Sequence, residues 1–166
     1  MTFENIVLIT GGTLAGLLAG VFYAFHVAFV PALRHMKAKQ HIEAMQLVNQ
    51  KIKNPVFFLS FFGPSLLLPL AAFLNRGTDQ FPVLVAASLL HLVGSNGITV
   101  AGNIPLNEAL DKVDVSQISD AEAEAVRQDF QGPGSRWMRF HAIRTLAAVA
   151  ATALVFIVCL SKSRSQ

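Results

Sequence analysis

Cysteine, tryptophan and tyrosine are almost missing from this chain, with one of each in 166 residues. A lone Cys159 excludes an internal disulfide framework, and its place near the end of an apolar run suits a small buried side chain. Charge is scarce as well: Asp, Glu, Lys and Arg make up 14% of the chain, against about 25% in an average soluble domain. Together with 53% hydrophobic residues and a mean hydropathy of +0.51, that deficit excludes an ordinary soluble fold. The long apolar runs contain no acidic residue, and no internal repeat or low-complexity tract breaks the sequence.

What is present is four apolar stretches, 6–33, 56–74, 81–104 and 137–160. Each is close to or above the roughly 20 residues that a helix needs to cross a bilayer core. The leader "MTFEN" has no basic residue and the run after it outlasts the core of a secretory signal, so the first stretch is expected to stay as a helix. Gly12, Gly16 and Gly20 recur within it every fourth residue, a spacing that lets membrane helices approach closely. The expected fold is all-α: one integral membrane domain, 1–166, built as a four-helix bundle.

The connections carry the polar residues. Residues 34–55, "RHMKAKQHIEAMQLVNQKIKNP", set Ile42, Met45, Val48 and Ile52 at helical spacing, which predicts a short interfacial helix after the first span. Residues 75–80, "NRGTDQ", read as a tight turn. Residues 108–136 are polar, with "SDAEAEAVRQDF" as a capped surface helix and "QGPGS" as a hinge before the last span. Arg34, Lys37, Lys39, Lys51 and Lys53 in the first connection, with Lys112, Arg127, Arg136 and Arg139 in the third, face only Arg76, Lys162 and Arg164 on the other side. That bias predicts a multi-pass protein of the plasma or inner membrane with both termini outside. The net charge of +3 and pI of 9.4 then reflect topology, not a nucleic-acid surface.

Polar residues at membrane depth are costly and face the bundle interior. On the third span His91, Ser95, Thr99 and Asn103 follow in steps of four with Asn96 and Asn107 beside them, forming one stripe. On the fourth, Trp137, His141 and Arg144 share a face, and on the first Tyr23 and His26 lie three apart. At ~1.5 Å per residue, His26 and Arg144 lie about 10 Å from the nearest loop, and Asn103 and His141 about 6 Å, all on one side of the bundle. Asn103, Pro105 and Asn107 mark where the third span is expected to lose helical regularity, because proline removes a donor and disfavours helix at Ile104. Arg144 is a permanent cation with no interior carboxylate: its guanidinium snorkels, caps carbonyls or awaits an anionic ligand. His141 is open to a structural hydrogen bond or to catalysis.

The succession "GVFYAF" in the first span, "QLVNQKIKNP" before the second, "GSNGITVAGNIPLNEAL" ending the third and "WMRFHAIRT" opening the fourth resembles the anthrone oxygenase family over nearly the whole chain. The resemblance implies a four-helix membrane protein that oxidises anthrones, or other flat phenolic molecules, with O2 and without metal or flavin. By position it puts weight on Gln46, Asn49, Asn54, Asn103, Asn107, Trp137, His141 and Arg144. In the mechanism it suggests, His141 is the general base, with His26 as its alternate. Arg144, Asn103 and Asn107 stabilise the enolate oxygen. Trp137, Tyr23 and Phe22 stack on the flat substrate, with Thr99 beside them. The implied partners are the bilayer, a hydrophobic aromatic small molecule and O2, not nucleic acid. The competing expectation is a protein that binds a lipid, quinone or partner subunit, or a haem held axially by two histidines, without turnover.

Overall fold

A computed structural model describes residues 2–164, and the side chains of 2–161. The described residues are helical or in short turns, with no strand. Six helices follow in order: α1 (Phe3–Leu33), α2 (Ala38–Lys51), α3 (Pro55–Leu74), α4 (Phe81–Asp111), α5 (Asp120–Gln131) and α6 (Arg136–Arg164). Four of them, α1, α3, α4 and α6, are long and apolar enough to cross a bilayer. The molecule is thus a helical, multi-pass membrane bundle. The short amphipathic α2 and the polar α5 lie at the end where the first and third connections meet.

Local chemistry sets the boundaries. Asn54 caps α3 by accepting from the Phe57 N–H at 3.0 Å, and Pro55 opens the helix where its missing donor costs nothing. Ser119 and Glu122 form a reciprocal capping box on α5. Gly77 and Gly134 adopt φ of 84° and 77°, the left-handed turns that "NRGTDQ" and "QGPGS" need.

Helix α1 packs on α3 and α6, and α6 packs on α4. Val7, Leu8, Leu68, Leu84 and Val155 form the core at one end. Val30, Ile42, Met45, Leu110, Phe130 and Trp137 form it at the other, beneath α2 and α5. Of the three spaced glycines only Gly12 is pressed, since a Cβ there would stand 2.6 Å from Val155, whereas one at Gly20 would meet nothing within 4 Å. Gly94 and Gly102 matter as much: a Cβ at each would lie 2.7 Å from Ala147 and from the Phe140 ring.

The third span does not end at Pro105. It runs on to Asp111 by widening into π-helical turns at Leu90–Gly97 and Thr99–Asn103. The Ile104 N–H bonds to the Thr99 carbonyl five residues back, and an α-helical segment resumes with Pro105 in its first turn. The wide turns also explain the straight polar stripe. A step of four overshoots an α-helical turn by about 40°, so three such steps would carry Asn103 round the helix; π-turns take up the excess. His91, Ser95, Thr99 and Asn103 are accordingly all buried.

A polar clamp ties the loop end together. Arg34 donates through Nε and Nη2 to the Gln131 carbonyl at 3.1 and 2.7 Å. Arg127 donates to the Arg34 carbonyl at 2.8 Å. His41 hydrogen bonds to the Leu33 carbonyl at 3.1 Å and to the Gln131 side-chain amide at 2.8 Å. Lys39 and Asp120 approach to 3.8 Å, so both long connections lie on one side of the bundle. The side chains of Lys162 and Arg164, counted for the opposite side in the charge bias, lie outside the described residues.

Candidate functional site

Helical phase on α6 brings Trp137, His141 and Arg144 to one face, where α4 presents Thr99 and Asn103 and α1 presents Phe22. Arg144 is 8% exposed, and its guanidinium carbon lies over the Phe22 ring at 4.2 Å from its centre and over the Trp137 ring at 5.7 Å. Its Nε donates to His141 Nδ1 at 3.1 Å and its Nη1 to Thr99 Oγ1 at 3.3 Å. Arg144 makes no ion pair among the described residues. Two of its five N–H donors are thus used by neutral partners, and its charge is balanced by ring faces alone.

The neighbours are held in turn. Asn103 donates to the Trp137 carbonyl at 3.1 Å, and the Trp137 indole N–H donates to Asn107 Oδ1 at 2.7 Å. The indole stacks on the His141 ring at 4.7 Å. Because Arg144 donates to His141 Nδ1, that nitrogen is an acceptor and the imidazole proton sits on Nε2.

Arg144 forms the deep end of a mostly apolar cavity of about 280 Å³. Phe22, Phe57, Phe58, Phe61, Phe62 and Trp137 supply its aromatic walls, and Thr99, Asn107, Asn49 and Asp111 its polar points. Lys53 and Glu108 stand at its outer mouth, exposed.

The expected site residues fall into three groups. Arg144, Trp137, Phe22, Thr99, Asn107 and Asn49 line the cavity. Asn103 and His141 are fully buried behind that wall, positioning Trp137 and Arg144. His26, half-buried with its ring 5.5 Å from that of His141, also lies off the wall. The remaining three sit elsewhere. Tyr23 is 58% exposed on the outer face beside Gly20 and Phe156, three residues from His26 but turned away from the cavity. Gln46 donates to the Leu110 and Val113 carbonyls at 2.9 Å each, fastening α2 to the end of α4. Asn54 is the cap of α3. Among the described residues no three His, Cys, Asp or Glu side chains gather as a metal site.

Sequence reasoning missed the phenylalanine wall and the outer carboxylates. The signal for the first was plain, since "FFLSFF" at 57–62 puts four phenylalanines within two turns. Glu108 and Asp111 were hidden because the third span was expected to end before them. Asn49 holds Asp111 Oδ1 at 2.9 Å and so ties α2 to the cavity rim.

A family model described as anthrone oxygenase matches residues 57–154. The matched part takes in α3, α4, α5 and the site-bearing half of α6, and leaves out Phe22, His26, Gln46, Asn49 and Asn54 on or beside α1 and α2. No curated protein and no solved structure matches the chain.

Proposed function

The chain belongs to the anthrone oxygenase family, and from that premise we propose that it is a bilayer-embedded oxygenase converting the activated methylene of a flat anthrone-like or phenolic substrate to a carbonyl with O2. The observation that carries the reading is Arg144, a buried cation with no carboxylate partner among the described residues, at the end of an aromatic-walled cavity. Such a place favours a planar anion. Preorganised donors there are worth on the order of 3 kcal/mol each when charge develops on an oxygen.

In this reading the substrate methylene loses a proton and its electron pair delocalises onto the ring oxygen facing Arg144. The carbanion carbon bonds to O2, the peroxide takes up a proton, and loss of one water leaves the carbonyl. The sum is substrate CH2 plus O2 giving C=O plus H2O. Trp137, Phe22 and the phenylalanine wall hold the rings flat. His141 acts as a positioning residue, not the base, since its Nδ1 is engaged by Arg144 and its ring does not line the cavity. The proton leaves toward the carboxylates at the outer end, directly or through water.

Oxygen uptake by the reconstituted protein with a simple anthrone, corrected for autoxidation, tests this. Turnover above background that disappears in Arg144→Gln is the expected result, and a rate that never exceeds autoxidation across anthrones and related phenols would sink it. The same cavity also suits a quinone held without turnover. A spectrum of the purified protein with the bands of a bound quinone would favour that second reading, and a Soret band would instead indicate haem on its histidines.

We propose further that the side bearing α2 and α5 is cytoplasmic, supported by the nine-to-three basic bias. Cysteines introduced at Lys39 and Asp120 should resist impermeant labelling of intact cells; labelling of either from outside reverses the orientation.

A further inference from the structure

We infer that the ligand of this cavity enters sideways from the hydrocarbon, through a gap between α3 and α4, and that it is an elongated lipophile with an oxygen anion or carbonyl at its deep end. The inference rests on one part of the reading above, that this cavity is where the ligand binds. Helices α3 and α4 pack on one another along Phe81–Leu89 and Leu90–Gly97, then diverge, so the start of α3 and the end of α4 stand apart. The gap is rimmed by Phe58 and Phe62 from α3 and Val100 and Ile104 from α4, each both on the cavity wall and 37–54% exposed outward.

Depth decides what lies outside that rim. Phe58 and Phe62 sit about 5 and 11 Å inside the first residue of α3, and Val100 about 17 Å inside the last residue of α4, at ~1.5 Å per residue. Outside them is acyl chain. No charged or hydrogen-bonding side chain stands among these four, as it would at a mouth opening to water. The charged residues collect instead at the other mouth, where Lys53 and Glu108 are exposed.

The lining favours one ligand shape. The cavity touches α4 from Thr99 to Asp111, about 18 Å along the helix. The cavity of about 280 Å³ is therefore elongated along α4, with phenylalanine rings on its α3 side. It suits fused planar rings lying along α4, with the acceptor oxygen on Arg144 and a hydroxyl at the outer end near Asn49, Asn107 and Asp111. A compact hydrophile would leave the phenylalanine wall unfilled.

Trp137 is the single tryptophan of the chain and lies beside Arg144, so its emission reports occupancy. The full chain is reconstituted in lipid nanodiscs and mixed by stopped flow with dihydroxyanthraquinone, a flat lipophile that already carries the carbonyl. Saturable quenching is expected, with the half-saturation raised at least tenfold in Arg144→Gln. Anthraquinone monosulfonate, kept in water by its charge, should quench little. Narrowing the lipid rim with Val100→Phe or Ile104→Phe should slow quenching several-fold at unchanged amplitude, whereas Lys53→Phe at the aqueous mouth should leave the rate alone. Two rim sites are used so that one misfolded variant does not decide the matter. Equal quenching by the sulfonate, or unchanged rates in folded rim variants, overturns the inference. Because the probe cannot turn over, lipid-side binding without any oxygen uptake would keep this inference and remove the oxygenase reading. Oxygen uptake limited only by the aqueous mouth would do the reverse.

Discussion

Arg144 and His141 form one unit, and its two members should respond to mutation differently. Arg144→Lys keeps the charge but loses the planar fork that reaches His141, Thr99 and the cavity together. One or two charge-assisted hydrogen bonds at about 1.5–3 kcal/mol each predict a fall of roughly tenfold to a hundredfold or more in kcat/KM or ligand affinity. If His141 only orients the guanidinium, His141→Gln, whose carbonyl can accept from Arg144 Nε, should retain most of the activity that His141→Ala loses. The pH profile of kcat should keep its acidic limb in the glutamine variant; loss of that limb would restore His141 to the role of base. The sequence alone singled out Arg144, Trp137 and Asn107, because polarity inside an apolar helix is conspicuous. It did not separate a residue that lines the cavity from one standing just behind it, since Asn103 and His141 share the helical faces of Thr99 and Arg144 and differ only in direction by part of a turn. Tyr23 failed for the same reason: being three residues from His26 puts it near that face, and the chain turns it outward to lipid.

Helix α4 carries more of the site than any other element, and it does so through irregular geometry. Its wide turns hold the polar stripe in line, and Gly94 and Gly102 let α6 press close enough for Arg144 to reach Thr99. Gly102→Ala should therefore be costly, by about 1–3 kcal/mol for an overpacked interior, because the added methyl meets the flat face of Phe140. Gly20→Ala, with open space around it, should be neutral within about 0.5 kcal/mol. Unfolding of the two variants in the same detergent, compared with the parent, measures the contrast. From the sequence the evenly spaced glycines of α1 looked like the packing motif, whereas the close interhelical contacts are spread over Gly12, Gly63, Gly94 and Gly102. Spacing reports which residues share a face but not how near the opposite helix comes. The existence of the four spans, the interfacial helix and the capped α5 were legible, since each is written in hydropathy, period or a cap. The passage of α4 through Pro105 was not, because a lone proline signals a break unless a π-turn has already removed the need for its donor.

At the scale of the whole molecule, the clamp of Arg34, His41, Arg127 and Gln131 joins the first connection to the third. Burial holds the His41 imidazole below its ordinary value of 6.5, with Arg127 and Arg34 pushing the same way against the hydrogen bonds to Leu33 and Gln131. With the folded value lowered, the unfolded chain takes up the proton first as pH falls. The clamp is therefore at full strength above about pH 6.5 and weakens as pH drops below it. Thermal unfolding between about pH 7 and pH 5 should show a steeper loss in the parent than in His41→Asn; parallel curves would mean that His41 does not titrate in this range. The bundle also has a built-in order of assembly. Thr99 and Asn103 face Arg144 and Trp137, and these partners lie on a helix that leaves the ribosome after α4. Until α6 arrives, a three-span nascent chain presents its polar stripe to lipid or to whatever insertase shelters it, and Arg144 in turn has no aromatic cage. A chain stopped after Ser135 should be inserted yet short-lived in a pulse-chase experiment, and α6 supplied as a separate helix should lengthen its lifetime, making the fourth span the chaperone of the three before it.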